Sequence, residues 1–342
     1  MNKNPNLALP NSMQHIVETT ASSTCARRFS VIIVNYNGGD MLDACLRSVL
    51  SLNIPVDQVI VVDNGSRDKS LDLAQRQAPG IMIIRNPCNA GFARAVNQGL
   101  EYARGDFVLL LNNDAQLDAD ALHAFAEVFD QTPNLAIAGG QLLYPDGRAQ
   151  NAVAAIPSLR GELLPKFLLK WLDPQRYQGK PRVEHPIAVE SVIGACLALR
   201  RASLEPLGKL DEDYFFFMEE TEWCQRARRM GYQVFYVPGA RAFHGQGQTV
   251  KKFRSFARIE FQRSKLLFFR KTQSRMSYLV VSILLPFKAF INVASNSLVC
   301  VLTLCLLSRQ RARVSGYWRI FFWHVLGRPQ SWGLPNKCLQ KK

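Results

Sequence analysis

The chain has 342 residues, 48% hydrophobic and 20% charged, an ordinary globular composition that excludes a disordered or low-complexity protein. Its net charge of +15 is unevenly spread: from Val250 onward 18 Lys and Arg face one acidic residue, Glu260, for a net of +17, while the preceding part carries −2. The eight Cys are scattered with no CxxC pair, which argues against a zinc site or a disulfide framework and fits a reducing cytoplasm.

Met1 to Arg28 is polar and lacks an apolar h-region, so it is expected to be a flexible lead-in and not a secretory signal. Residues 29–140 then alternate short apolar runs with helical periodicity. Strands are predicted over Phe29 to Asn35, Gln58 to Asp63, Ile81 to Ile84, Phe107 to Leu111 and Leu135 to Ala138. Helices are predicted over Met41 to Leu52, Lys69 to Gln77, Ala90 to Ala103 and Ala119 to Phe129. The pattern predicts an α/β fold with a mostly parallel sheet flanked by helices.

The run Phe107-Val-Leu-Leu-Leu111 stops abruptly at Asn112-Asn113-Asp114. Ligands of parallel sheets bind at the carboxyl ends of strands, so Asn113 and Asp114 point where a substrate would sit. A carboxylate there can hold Mg²⁺ or Mn²⁺ bridging a diphosphate, or it can simply cap the next helix. Two other strands end in polar groups that would project from the same edge: Asn35-Tyr36-Asn37-Gly38-Gly39 and Asp63-Asn64-Gly65-Ser66. Tyr36 can stack on a base and Asp63 can accept from a base or ribose, although Asn64-Gly65 also suits a plain turn. No GxGxxG follows the first strand, which counts against a dinucleotide redox enzyme. Asn89-Ala-Gly91 opens the third helix, where backbone amides and Arg94 could face phosphate oxygens, or where Asn89 is merely its cap.

Beyond a Pro-punctuated segment, Val189 to Arg200 reads as a strand broken by Gly194-Ala195, small residues that let another group approach the backbone. Cys196 in that apolar strand reads as inert core. Aromatic residues then lead into Glu219-Glu220-Thr-Glu222-Trp223, a partly desolvated acidic pocket where a carboxylate can act as general base, or an acidic first helical turn that suits the helix dipole. Val234 to Val237 is a further strand, and His244 falls in a Gly-rich loop, a plausible place for a metal ligand.

Taken in order, Val-Ile-Ile-Val-Asn-Tyr-Asn, Val-Val-Asp-Asn-Gly-Ser, Asn-Ala-Gly-Phe, Leu-Asn-Asn-Asp, Gly-Ala-Cys, Glu-Glu-Thr-Glu-Trp-Cys and His-Gly-Gln-Gly-Gln-Thr resemble family 2 glycosyltransferases of the inverting type with a GT-A, Rossmann-like fold. Within that family the chain looks like bacterial rhamnosyltransferases of O-antigen and cell-wall assembly. The resemblance covers residues 29–249, a nucleotide-sugar half (29–140) and an acceptor and catalytic half (141–249), with 250–342 as a basic, apolar helical region. It implies that Asn35, Tyr36, Asn37, Asp63, Asn64, Asn89, Gly91, Arg94, Asn113 and Asp114 bind a nucleotide diphosphate sugar. It also implies that Asp114 and His244 hold a divalent metal, Mg²⁺ or Mn²⁺. Gly194, Ala195, Cys196 and Trp223 would face the acceptor, a lipid-linked saccharide. Close relatives usually read Glu-Asp-x-Asp where this chain has Glu219-Glu220-Thr221-Glu222; by alignment Glu220 is the base, with Glu219 and Glu222 left open. Asn112 stands where an Asp often does.

Met276 to Leu307 is apolar apart from Lys288 and a few Asn, Ser and Thr, and Pro286 interrupts it. Two shorter interfacial helices flanked by basic residues are therefore expected, binding an anionic membrane surface at the cytoplasmic face of the inner membrane, with no nucleic acid. A buried helical subdomain is the competing reading of this region. A sugar nucleotidyltransferase and a membrane scaffold with a decayed transferase domain are the competing readings of the whole.

Overall fold

In the computed structural model the described residues are 29–52, 56–177, 179–245, 254–334 and 337–338; the lead-in and most of the stretch after Gly245 lie outside them. The chain runs β1 (Phe29–Asn35), α1 (Asp40–Leu50), β2 (Val56–Asp63), α2 (Ser70–Gln77), β3 (Met82–Arg85), α3 (Phe92–Tyr102), β4 (Phe107–Asn112), β5 (Ala115–Leu117), α4 (Ala121–Gln131) and β6 (Leu135–Leu143). A region of short elements follows: β7 (Val153–Ala154), α5 (Leu159–Leu163), α6 (Lys166–Leu172), α7 (Pro174–Tyr177), β8 (Ile187–Ala188) and β9 (Ser191–Val192). Then come β10 (Cys196–Arg200), α8 (Leu204–Leu207), α9 (Glu219–Arg229), β11 (Gln233–His244), and the tail helices α10 (Arg254–Thr272), α11 (Arg275–Leu302) and α12 (Ser308–Val325).

The main sheet has the order β3-β2-β1-β4-β10-β6-β11-β5, with β8 also paired to β11. Strands β3, β2, β1 and β4 are parallel, β10 is antiparallel to both β4 and β6, and β11 is again parallel to β6. The apolar runs of β1, β2 and β4 are buried on both faces, as continuous hydrophobic strands require. Helices α1, α2 and α4 cover one face through Leu46, Leu71, Phe125 and Phe129; α3 and α9 cover the other through Val96, Leu100, Trp223 and Cys224.

The tail departs from expectation in two ways. Met276 to Leu307 does not form two short helices: α11 is one helix of 28 residues with Pro286 inside it, long and apolar enough to cross a membrane by length and composition. The tail is also no appendage, because its core of Phe268, Phe269, Val281, Leu285 and Trp323 includes Tyr214 from the segment before α9. Lys271 pairs with Asp211 at 2.6 Å and Ser264 Oγ donates to the Phe216 carbonyl at 2.8 Å. Finally, Cys88 and Cys338 form a disulfide (Cα–Cα 5.4 Å), which corrects the expectation of none and ties the end of the chain to the segment before α3.

Candidate active site

Parallel register sets Asn35 beside Asp63 and Val34 beside Asn112, so three polar strand ends open on one sheet edge. The buried Asn35 amide donates to Asp63 Oδ1 and to Ser70 Oγ, each at 2.9 Å, and Asn113 Nδ2 donates to Asn35 Oδ1 at 2.9 Å. Asp63 Oδ2 accepts from the Ser66 amide at 3.0 Å, and Ser66 Oγ accepts from the Asn37 amide at 2.8 Å. Asp63 and Asn64 are thus buried scaffolding of this floor, while Tyr36 and Asn37 are partly exposed at its rim. The network needs Gly38, because a Cβ there would lie 2.4 Å from Asn35 Oδ1.

Next to this floor, β5 and β11 pair antiparallel with His244 opposite Ala115, which brings His244 against Asp114: Nε2 to Oδ1 is 3.3 Å. His244 is the buried last residue of a strand, not a loop residue as expected, and its orientation is fixed from behind. Gln150 Nε2 donates to the His244 and Leu143 carbonyls at 2.6 and 3.0 Å, so its Oε1 must face His244 Nδ1, 3.0 Å away. With Nδ1 turned to Gln150, Nε2 faces the Asp114 carboxylate, with Asn112 Nδ2 3.5 Å away, so the pair is satisfied by a proton on Nε2 or, in its place, by a metal cation. Asp114 also borders a cavity of about 390 Å³ lined by Asp40, Met41, Gln116 and Phe243. Among the described residues no third His, Cys, Asp or Glu joins the pair. A two-donor set of this kind suits Mg²⁺ or Mn²⁺ completed by water and substrate phosphates.

The Asn89-Ala-Gly91 turn is held rather than open. Asn64 Nδ2 donates to the Gly91 carbonyl at 3.1 Å, Asn89 Oδ1 accepts from the Gly91 amide at 3.1 Å, and the Phe92 amide donates to the Phe215 carbonyl at 2.8 Å. Gly91 has φ 92°, and a Cβ would lie 2.7 Å from that same carbonyl, so only glycine fits. The Phe92 amide is thereby spent and is not available to a phosphate at the start of α3. Arg94 lies 3.9 Å from Glu212 and lines a different cavity, of about 590 Å³, with Phe215 and the tail residues Glu260 and Lys337.

At the start of α9 the three glutamates separate cleanly. Glu222 is forked by Arg226 at 3.1 and 2.9 Å, and that guanidinium also donates to the Leu207 and Lys209 carbonyls, so Glu222 is structural. Glu220 lies against Gly194, whose backbone N–H donates to its carboxylate. Burial pushes the Glu220 carboxyl above the ordinary range, offset in part by backbone hydrogen bonds at Glu220, Gly194 and Thr221. Glu219 is buried and is raised well above it, first by burial and then by the neighbouring Glu220. Oε2 of each has no hydrogen-bond partner among the described residues. Phe217 and Met218, immediately before them, are held at φ 73° and 71°, strain of the kind that accumulates at functional sites. Sequence reasoning missed what holds that loop: Ser264 on α10, and Phe261, which meets Phe217 edge-on at 5.6 Å.

Three expected acceptor contacts do not hold. Trp223 is fully buried and donates to the Gly208 carbonyl at 2.9 Å, Cys196 is core with its thiol pushed up to about 12 by burial, and Ala195 is buried behind it. Of the Gly-Ala-Cys stretch only Gly194 reaches the carboxylate pocket.

A mostly parallel sheet with helices on both faces and an Asp–His pair at its carboxyl edge is an architecture shared with GT-A glycosyltransferases. The sequence pattern of glycosyl transferase family 2 matches residues 30–208, and the chain belongs to that family. It is 28% identical over 237 residues, 64% of this chain and 76% of the relative, to N-acetylglucosaminyl-diphospho-decaprenol L-rhamnosyltransferase of Mycobacterium tuberculosis. It is 26% identical over 266 residues, 75% of this chain and 81% of the relative, to the low-salt glycan biosynthesis hexosyltransferase Agl10 of Haloferax volcanii. Among solved structures it resembles a Pyrobaculum calidifontis mannosyltransferase in complex with GDP-Man and Mn²⁺ (TM-score 0.54, 17% identity, 89% of this chain and 88% of that one).

Proposed function

We propose that this glycosyltransferase is inverting and metal-dependent, and that it moves a hexose, with rhamnose the leading choice, from a nucleotide diphosphate sugar to a hydroxyl of a lipid-linked saccharide in surface polysaccharide synthesis. The observation that carries the reading is the Asp114–His244 pair, locked by Gln150 at the sheet edge. A divalent cation held there supplies charge neutralisation of the departing diphosphate. Glu220 takes the proton of the acceptor hydroxyl; the oxygen bonds to the anomeric carbon as the bond to the diphosphate breaks on the opposite side, and the electron pair leaves with the nucleotide. The relative's diphospho-decaprenol acceptor supports a lipid diphosphate carrier here. Heating the protein with a panel of nucleotide sugars, with and without Mn²⁺ or Mg²⁺, tests the donor side. One nucleotide class should raise the Tm only with metal; saturation near a hundred times Kd corresponds to about 2.7 kcal/mol. No protection by any of them would remove the reading.

The same proposal puts the enzyme on the cytoplasmic face of the membrane, held by the tail. Helix α11 packs inward through Val281, Leu285, Ala289 and Val293 and presents Met276, Leu279, Ile283, Phe287 and Phe290 outward, with Arg309, Arg311 and Arg313 just beyond its end. Because its inner face rests on α10 and α12, it suits insertion into one leaflet with its basic flanks on anionic headgroups, each worth about 1 kcal/mol. Removing the tail would also expose Tyr214, so the test keeps the full chain. It should sediment with anionic vesicles, and Ile283→Asp/Phe287→Asp, both exposed, should leave it in the supernatant with its Tm unchanged. Equal recovery of the unaltered protein in the supernatant with anionic and neutral vesicles would remove the membrane assignment.

A further inference from the structure

Between α5–α6 and the tail helices lies a cavity of about 400 Å³ that the transfer chemistry does not use. Leu164, Pro165, Leu285, Ala289 and Ile320 give it apolar walls, and Lys166, Lys265 and Lys288 surround a single carboxylate, Glu162. Lys265 Nζ meets Glu162 Oε1 at 2.7 Å and neutralises it. Lys288 donates to the Glu162 backbone carbonyl, with the carboxylate 3.8 Å away and its own side chain 41% exposed, and Lys166 is exposed with no ion pair among the described residues. Two ammonium groups therefore remain in excess at a cavity that pairs apolar walls with a polar, cationic side. Such a site fits a ligand whose anionic head is joined to a hydrocarbon chain.

The rim points to the same chemistry. Phe167 and Trp171 on α6 are each 75% exposed, and Ile283 and Phe287 are exposed on the stretch of α11 that contributes Leu285 and Lys288 to the cavity. The rim is thus continuous with the face assigned to the membrane, from which a lipid carrier would arrive. A line of contacts joins the cavity wall to the start of α9: Lys265 Nζ lies 5.2 Å over the Phe261 ring, Phe261 meets Phe217, and Met218 caps the helix that opens with Glu219 and Glu220.

We infer that this cavity binds the diphosphate and first isoprene units of a prenyl-diphosphate-linked acceptor, with Lys166 and Lys288 on the phosphates. The inference rests on the lipid-linked acceptor proposed above, and its test requires no transfer. Full-length protein in detergent, with chelator and without nucleotide, is titrated with farnesyl diphosphate, farnesol, inorganic diphosphate and short-chain phosphatidylglycerol. Farnesyl diphosphate is expected to bind at least about tenfold more tightly than the other three, and UDP with Mn²⁺ should not displace it. Lys166→Gln/Lys288→Gln is expected to weaken it about tenfold or more, and Lys166→Gln alone, at an exposed position, to weaken it less. Lys170→Gln, on the same helix outside the cavity, should leave it unchanged. Equal binding of farnesol or phosphatidylglycerol, displacement by UDP, an unaffected double variant, or equal loss in Lys170→Gln would each overturn the assignment. Intact prenyl-diphosphate binding in a protein that transfers no sugar would instead fault the transferase reading.

Discussion

Asp114→Ala is expected to abolish transfer, a loss of about a thousandfold or more, and to remove metal-dependent nucleotide binding while the fold survives. The contacts allow that separation. The Asp114 backbone carbonyl accepts from the Gly245 amide at 2.8 Å, and this bond, which joins β5 to the end of β11, persists without the carboxylate. His244 keeps Gln150 at Nδ1, so its orientation is retained when the second donor is lost. The side chain is 7% exposed and faces His244, so its truncation leaves a small polar gap and no apolar void. Calorimetric titration of the nucleotide with and without Mn²⁺, a transfer assay and a thermal melt read the three outcomes separately. Full activity would remove the metal assignment, and loss of the fold would mean that Asp114 serves the sheet edge instead.

The sequence displayed the first half of the fold plainly, because buried parallel strands are written as unbroken apolar runs and their carboxyl ends as abrupt polar stops. Phe107 to Leu111 followed by Asn112-Asn113-Asp114 is such a case, and the parallel register confirms that its end shares an edge with Asn35 and Asp63. What lay beyond local pattern were partnerships formed across long separations. Gln150 and His244 are 94 residues apart, and nothing in the neighbourhood of Gln150 marks it as the group that orients the imidazole. Ser264 is 48 residues from the Phe216 carbonyl that it holds. The apolar strand marks Cys196 as core, where β10 places it, whereas the acceptor role that the resemblance implies for Trp223 fails because α9 turns its ring inward. Pro286 does not break the helix, since tertiary packing of Val281, Leu285 and Ala289 sustains α11 through it.

Glu220→Gln should lower turnover at least about a hundredfold while donor affinity is kept, since the change is nearly isosteric and touches only the proton acceptor. The structure sharpens the contrast with its neighbours. Glu222 is spent on Arg226, so Glu222→Gln should act chiefly through stability. Glu219 and Glu220 are both raised by burial and titrate as a pair, and with the Gly194 N–H on the Glu220 carboxylate Glu219→Gln should cost turnover less than Glu220→Gln. The sign of the pH dependence follows. Glu220 works ionised, and burial raises its carboxyl, so the acid limb of kcat/KM should lie above the ordinary glutamate range, with rate rising through it as pH increases. Glu219 has a folded value above its unfolded one, so the native state binds more protons across that window and stability falls as pH rises, by up to about 1.4 kcal/mol per pH unit. Glu219→Gln should flatten that part of the stability curve. Urea midpoints and kcat/KM profiles for the two variants decide the matter: a dead Glu219→Gln beside an active Glu220→Gln would move the base one residue back along α9.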